Sequence, residues 1–222
     1  SPSSFNELGL ITPLLARLTD LQYQQPTPIQ AQTIPSILTG RDLIAGANTG
    51  SGKTATFALP LLQQLFNEKS SGKASSSSSN ASKKGNYVAG LVLVPTRELA
   101  TQVADSIRSY AAHLNGAVKT VAVFGGVSTN KQMLTLRGGT DILVATPGRL
   151  LDLISSNAIK LDHVKTLVLD EADRMLSLGF TEEISALLAM MPKQKQTLLF
   201  SATFPEQVKA LTTELLSDPV EV

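Results

Sequence analysis

The chain contains no cysteine. That excludes a disulfide framework and a thiolate metal site, and it fits a cytoplasmic protein. Charge bias is missing too: 19 Lys and Arg against 18 Asp and Glu leave a net charge of +1 over 222 residues. A local basic surface would vanish in such a sum, so it neither predicts nor excludes a polyanionic partner. No apolar run approaches the length that spans a bilayer, so no membrane is expected. The opening SPSSFNELGL has neither the basic nor the apolar region of a secretory signal, and its leading Ser reads as the start of a trimmed chain. The two histidines, His113 and His163, lack metal-ligand spacing and are expected at the surface. No internal repeat is visible. What remains is 42% hydrophobic and 17% charged, the profile of a folded soluble domain with a proper core.

Apolar runs alternate with longer helical patterns. Strands are predicted at DLIAGA (42–47), VAGLVLV (88–94), VKTVAVF (118–124), DILVAT (141–146), VKTLVLD (164–170) and QTLLFSA (196–202). Helices are predicted at TPIQAQTIPSIL, GKTATFALPLLQQLF, RELATQVADSIRSYAAHL, PGRLLDLISS, EEISALLAMM and PEQVKALTTELL. Short, doubly apolar strands separated by helices predict an α/β fold, a mainly parallel sheet with helices on both faces. The alternation runs on without a break, so residues 1–222 read as a single domain whose ligand site lies at the carboxyl ends of its strands. SSGKASSSSSNASKKGN, residues 70–86, is Ser-, Lys- and Gly-rich without apolar period and predicts a flexible surface loop.

The first strand leads into ANTGSGKT, residues 47–54. The phosphate-loop pattern asks for Gly, four residues, then Gly-Lys-Ser/Thr; here Ala47 stands in the first place and Gly52-Lys53-Thr54 in the last. Gly50 and Gly52 allow the backbone of Thr49, Gly50, Ser51 and Gly52 to curl its N–H groups around phosphate oxygens, and the following helix adds a positive dipole end. In this pattern Lys53 reaches the β and γ phosphates and the Thr54 hydroxyl binds Mg²⁺. The plain alternative is a Gly-rich turn that binds nothing.

The run LVLDEADRML (167–176) ends an apolar strand on Asp170, Glu171 and Asp173, a costly concentration of negative charge unless it is solvated or meets something positive. A magnesium ion, which takes hard oxygen ligands and keeps several waters, suits such a strand end. Asp170 is then the metal ligand, directly or through water, and Glu171 orients or deprotonates the attacking water. Taken alone, the four residues would read as a solvated acidic turn; a phosphate loop in the same sheet favours catalysis.

Asp170-Glu171-Ala172-Asp173 spells DEAD, and the chain resembles the DEAD-box ATP-dependent RNA helicases over nearly all its length. The resemblance rests on PTPIQ (26–30), the phosphate loop, PTRELA (95–100), GG (125–126), TPGR (146–149), DEAD and SAT (201–203) in order; FGGVSTNKQMLTLRGG and ATPGRLLDL look most like the bacterial RhlE-like subgroup. It implies an N-terminal RecA-like P-loop NTPase domain that takes ATP and Mg²⁺, with residues 1–40 as an adenine-recognition segment. By resemblance Gln30 pairs with the N6 and N7 edge of adenine, as a carboxamide can. Tyr23 stacks on the base, Phe5 packs behind the site, and the Gln25 carbonyl accepts from adenine. Where the family has Gly before that aromatic, this sequence has Gln22.

The resemblance also implies contacts to RNA from Pro95, Thr96 and Arg97, from Gly125 and Gly126, and from Thr146, Pro147, Gly148 and Arg149. Strand-to-helix turns of this kind offer N–H groups, hydroxyls and guanidinium to phosphates and carry no base code; capped helix starts are the plain alternative. Ser201 and Thr203 are expected to bond Asp173 and couple ATP to RNA, against an even alternative of strand-end hydroxyls satisfying backbone. A second, C-terminal RecA-like domain, needed in cis by the family, is expected to be absent from this sequence, leaving it able to bind nucleotide but not to unwind. The rival from another class is an RNA- or protein-binding module with vestigial ATPase. A GTPase is disfavoured because no Asn-Lys-x-Asp signature is present.

Overall fold

The computed structural model describes residues 3–48, 51–71 and 85–222. A short 3₁₀ turn, Phe5–Glu7, precedes helices α1 (Thr12–Asp20) and α2 (Pro28–Leu38). The chain then alternates: β1 (Leu43–Gly46), α3 (Lys53–Ser70), β2 (Val88–Leu93), α4 (Arg97–Tyr110), β3 (Thr120–Val123), α5 (Thr129–Thr135), β4 (Thr140–Ala145) and α6 (Pro147–Ser155). It continues through β5 (Thr166–Leu169), α7 (Ala172–Ser177), α8 (Thr181–Ala189), β6 (Gln196–Ser201), α9 (Glu206–Leu215) and β7 (Val220–Glu221). Most of the Ser-rich segment, residues 72–84, lies outside the described residues.

Among the described residues the strands form one sheet in the order β3-β4-β2-β5-β6-β1-β7, and every pairing is parallel. The period-2 alternation divides each strand between two cores. Val92, Ile142, Val144, Val168, Leu198 and Phe200 pack under α1–α4, while Leu91, Leu93, Leu143, Leu167, Leu169 and Leu199 face α6–α9. Burial on both faces is why these strands read as continuous apolar runs.

Parallel pairing sends every strand end to one edge. The register sets Gly46 beside Ser201 and Leu169 beside Leu199, so the turns after β1, β5 and β6 are neighbours. On the other side Leu93 and Val123 both face Ala145, which gathers the turns after β2, β3 and β4. The carboxyl edge therefore carries two adjoining groups of motifs.

Candidate functional site

Thr49 and Gly50 lie outside the described residues; the rest of the loop leads into α3. Gly52 caps that helix at φ 83°, and its carbonyl accepts from Gln30 Nε2 at 3.1 Å. A Cβ there would fall 2.5 Å from Gln30 Nε2 and 3.0 Å from Thr27 Oγ1, so the position needs glycine both for its turn and for close approach. The Ser51 hydroxyl is buried without a partner among the described residues. Thr54 follows on the first turn of α3 and lines the cleft described below.

Lys53 Nζ stands 3.0 Å from Asp170 Oδ1, with the two side chains 9% and 0% exposed. Proximity and charge hold the pair, because neither Asp170 oxygen receives a well-directed hydrogen bond. Burial pushes the Asp170 carboxyl upward, and the Lys53 ammonium opposes that push. Two buried, under-coordinated carboxylate oxygens facing a lysine are the arrangement expected where a cation and phosphates complete the coordination. Glu171 follows with φ 53° and ψ 54°, the left-handed conformation that non-glycine residues adopt at a cost of about 1–2 kcal/mol. This twist brings it to the wall of the same cleft.

A second wall comes from the N-terminal segment. Thr27 and Gln30 form a capping box: Gln30 N donates to Thr27 Oγ1 at 3.4 Å and Thr27 N to Gln30 Oε1 at 2.9 Å. A carboxamide has two donors and two lone pairs, so after its bonds to Thr27 and Gly52 Gln30 keeps one of each. Preceding it, α1 closes in a Schellman motif, with Gln22 N donating to Thr19 O and Tyr23 N to Leu18 O, both at 2.9 Å. The C′ place of that motif prefers glycine; Gln22 fills it at φ 62°. The turn expected of the missing glycine is thus kept, and it delivers Tyr23 to the cleft rim, 41% exposed. Phe5 lies behind, its ring 6.4 Å from that of Tyr23.

These residues, with Gln25, enclose a cleft of about 610 Å³. Its remaining wall is α4, through Leu99, Gln102, Ser106 and Tyr110, which the sequence reading missed. Their spacing traces one helical face, a signal present in the sequence but pointing to no partner on its own. The Tyr110 and Tyr23 hydroxyls are 3.3 Å apart. Burial, then the Tyr23 contact, raise the Tyr110 phenol above its ordinary value, so it stays neutral.

Asp173 sits where the two groups of motifs meet. Its Oδ2 accepts from Thr203 Oγ1 at 2.8 Å and Thr203 N at 3.1 Å, as expected for Thr203. Ser201 bonds the Asp173 backbone instead: its hydroxyl accepts from Asp173 N at 3.2 Å and donates to Thr203 O at 2.7 Å. Partial burial would raise the Asp173 carboxyl, but bonds from the Thr203 hydroxyl and the Arg174 and Thr203 amides outweigh it and hold it below its usual value.

In the second group, Pro95 precedes Thr96, which caps α4 by accepting from Leu99 N at 3.2 Å, so its hydroxyl does the work of a helix start. The Arg97 guanidinium stacks on Phe124 at 5.1 Å, beside Gly125 and Gly126. Thr146 caps α6 without a side-chain bond, followed by Pro147 and Gly148. The Arg149 guanidinium bonds within the chain through one of its nitrogens. Its Nη1 reaches Phe124 O and Val127 O at 3.0 Å and Gln132 Oε1 at 2.9 Å. His113 and His163 are exposed, the first paired with Asp20 and the second stacked on Tyr87.

Among the described residues no cluster of three or more His, Cys, Asp or Glu could hold a metal by itself, and no helix is long and apolar enough to cross a membrane. The family model described as DEAD/DEAH box helicase matches residues 27–211. "ATP-dependent RNA helicase DeaD" of Escherichia coli K12 is 44% identical over 220 residues, 99% of this chain and 32% of that protein. "DEAD-box ATP-dependent RNA helicase CshA" of Streptococcus pneumoniae is 42% identical over 98% of this chain and 38% of its own length. The chain therefore spans about a third of the length of these relatives. The crystal structure of a DEAD box protein from the hyperthermophile Methanococcus jannaschii superposes with a TM-score of 0.85 at 36% identity, covering 99% of this chain and 55% of that one.

Proposed function

This chain belongs to the DEAD/DEAH box helicase family, and on that premise we propose that it is the ATP-binding half of an ATP-dependent RNA helicase. The whole protein would remodel RNA duplexes or RNA–protein complexes in the cytoplasm through contacts to the sugar-phosphate backbone. The observation that carries the reading is the Lys53–Asp170 pair at 3.0 Å, which joins the phosphate loop and the acidic strand end in one site.

Each side chain then has a task. Gln30 presents its remaining donor and acceptor to the N6 and N7 edge of adenine, which guanine would not match. Tyr23 covers the base, Phe5 supports it and the Gln25 carbonyl adds an acceptor. The N–H groups of the loop Thr49–Gly52 and the amino end of α3 receive the phosphates. Lys53 leaves Asp170 to bind the β and γ phosphates, while Thr54 and Asp170 would hold Mg²⁺, which supplies charge neutralisation on the phosphate oxygens. Glu171 takes the proton of the attacking water or orients it. Asp173 and Thr203, with Ser201 holding the Asp173 backbone, link this chemistry to Thr96, Arg97, Gly125, Gly126 and the turn at Thr146–Arg149, where RNA phosphates lie.

A second RecA-like domain in cis would close over both ligands and supply arginines to the γ phosphate, worth roughly three to five orders of magnitude in rate. The chain alone is then expected to bind nucleotide weakly, hydrolyse ATP poorly and unwind nothing. The deciding measurements are nucleotide affinity for this chain and for Lys53→Ala, and ATPase activity with and without RNA for this chain beside one continued through the following domain. Equal affinity in the two proteins would favour the vestigial binding module. Strong RNA-stimulated turnover by the 222-residue chain would refute the division of labour.

A further inference from the structure

Helix α5 inverts the usual ranking of burial. Its buried residue is Gln132, 7% exposed, while Leu134 on the same short helix is 55% exposed. Met133 and the following Leu136 pack against the core, but what takes a polar side chain inward beside them is hydrogen bonding. Gln132 Oε1 accepts from Arg149 Nη1 at 2.9 Å, and Gln132 Nε2 donates to Phe124 O at 3.0 Å. The same Arg149 nitrogen reaches Phe124 O and Val127 O, the two carbonyls that bracket Gly125 and Gly126. One guanidinium and one carboxamide thus pin both ends of the glycine turn, where Gly126 stands at φ 84°.

The turn connects onward. The ring of Phe124, whose carbonyl is held by both side chains, is the platform under Arg97 at 5.1 Å. A Cβ at Gly126 would stand 3.5 Å from Arg97 Nη1. The ends of β2, β3 and β4 are therefore one interlocked unit with Gln132 and Arg149 as its fastening.

We propose that Gln132 is a positioning residue for RNA binding and that Arg149 acts chiefly through the same network, setting the glycine turn and the Arg97 platform; this rests on the RNA-binding reading above. Gln132 touches no nucleic acid in this scheme. It fixes the direction of the Arg149 guanidinium, and the pair holds the backbone N–H groups of the turn where a sugar-phosphate chain approaches.

The test is a double-mutant cycle on the 222-residue chain with Gln132→Met, which keeps volume and charge, and Arg149→Lys, which keeps charge but not the shared planar contacts. Affinity is read by anisotropy of a labelled single-stranded RNA over a range of salt, nucleotide affinity in parallel. Each single variant is expected to weaken RNA binding about tenfold, and the double variant no more than either, as for neighbours sharing one network. The salt slope should stay at its wild-type value and ATP affinity should not change. If Arg149 works as a separate phosphate ligand, Gln132→Met will leave RNA affinity intact, or the two losses will multiply; either overturns the proposal. Should one variant not fold, amide exchange at Gly125–Val127 in the other decides: faster exchange with a retained melting point supports the fastening, unchanged exchange refutes it. A wild-type chain that binds no RNA at all refutes the RNA-binding reading first, and is distinguishable from silent variants of a chain that does.

Discussion

Replacing Gln22 with glycine should make the protein more stable without loosening its grip on nucleotide. Gln22 stands at φ 62° in the C′ place of the Schellman motif that ends α1, and its side chain is exposed. The left-handed conformation costs a side-chain-bearing residue about 1–2 kcal/mol. Glycine removes that strain but gives the unfolded chain more freedom, a loss of roughly 0.4–1 kcal/mol. The difference leaves a net gain of about 0.5–1 kcal/mol. For a domain of this size each kcal/mol moves the melting point by about 2–4 °C, so Gln22→Gly should melt about 1–4 °C higher. Both capping bonds are made by backbone amides, Gln22 N to Thr19 O and Tyr23 N to Leu18 O, and survive the change. Tyr23 should therefore stay at the cleft rim and nucleotide affinity should move less than about twofold, well under 1.4 kcal/mol. Gln22→Val, with a β-branched side chain in the same conformation, is the opposing control and should destabilise. Urea unfolding and titration of a fluorescent adenine nucleotide measure both quantities. A Gln22→Gly protein that melts lower than wild type would refute the reasoning, since it would mean the Gln22 side chain contributes more than its backbone strain removes.

Two further outcomes follow from the buried pair and from Asp173. Lys53→Ala strands a buried carboxylate at Asp170 and should cost about 3–5 kcal/mol of stability as well as nucleotide binding; adding Asp170→Asn should restore much of the melting point while binding stays lost, which calorimetry and nucleotide titration separate. Thr203→Val removes one of the bonds that hold the Asp173 carboxyl low. A depressed carboxyl stabilises the fold above its unfolded value, about 3.9, and that contribution fades as pH falls through the folded value; the stability gap between wild type and Thr203→Val should thus be full near pH 7 and close below about pH 4, and a gap that widens in acid would contradict it.

The apolar runs predicted as strands coincide with β1–β6, because burial on both faces leaves an unbroken hydrophobic record in each. Helix α1 escaped the sequence reading although Leu14 and Leu18 mark its buried face; nine residues without a side-chain cap give a weak start signal. Helix α7 begins from the left-handed Glu171, a conformation no local preference announces, and β7 is two residues that exist as a strand only by pairing with β1. Within the site, the pairing of Lys53 with Asp170 could be anticipated from a loop and a strand end in one sheet, whereas Gln30 was named by resemblance and its capping box came from the structure. Tyr110 and Gln132 were not legible, since their partners, Tyr23 and Arg149, are 87 and 17 positions away and nothing nearby in sequence names them. The direction of the Arg149 guanidinium was not legible either, for the same reason. A tetrapeptide announces a guanidinium, and only the carbonyls around it decide which way it turns.

The sheet order has a consequence for how the protein comes into being. Strands β1 and β2 follow one another in the chain but are held apart by β5 and β6, which are made late. A nascent polypeptide that has delivered its phosphate loop thus waits for some hundred and fifty further residues before Asp170 can be seated opposite Lys53 and β6 can lock between them. Such late, long-range insertion is slow and leaves apolar strand edges uncovered meanwhile. On the proposed reading, competence to hold a nucleotide would arrive only after β6 is in place, and occupancy of the cleft would report a completed sheet.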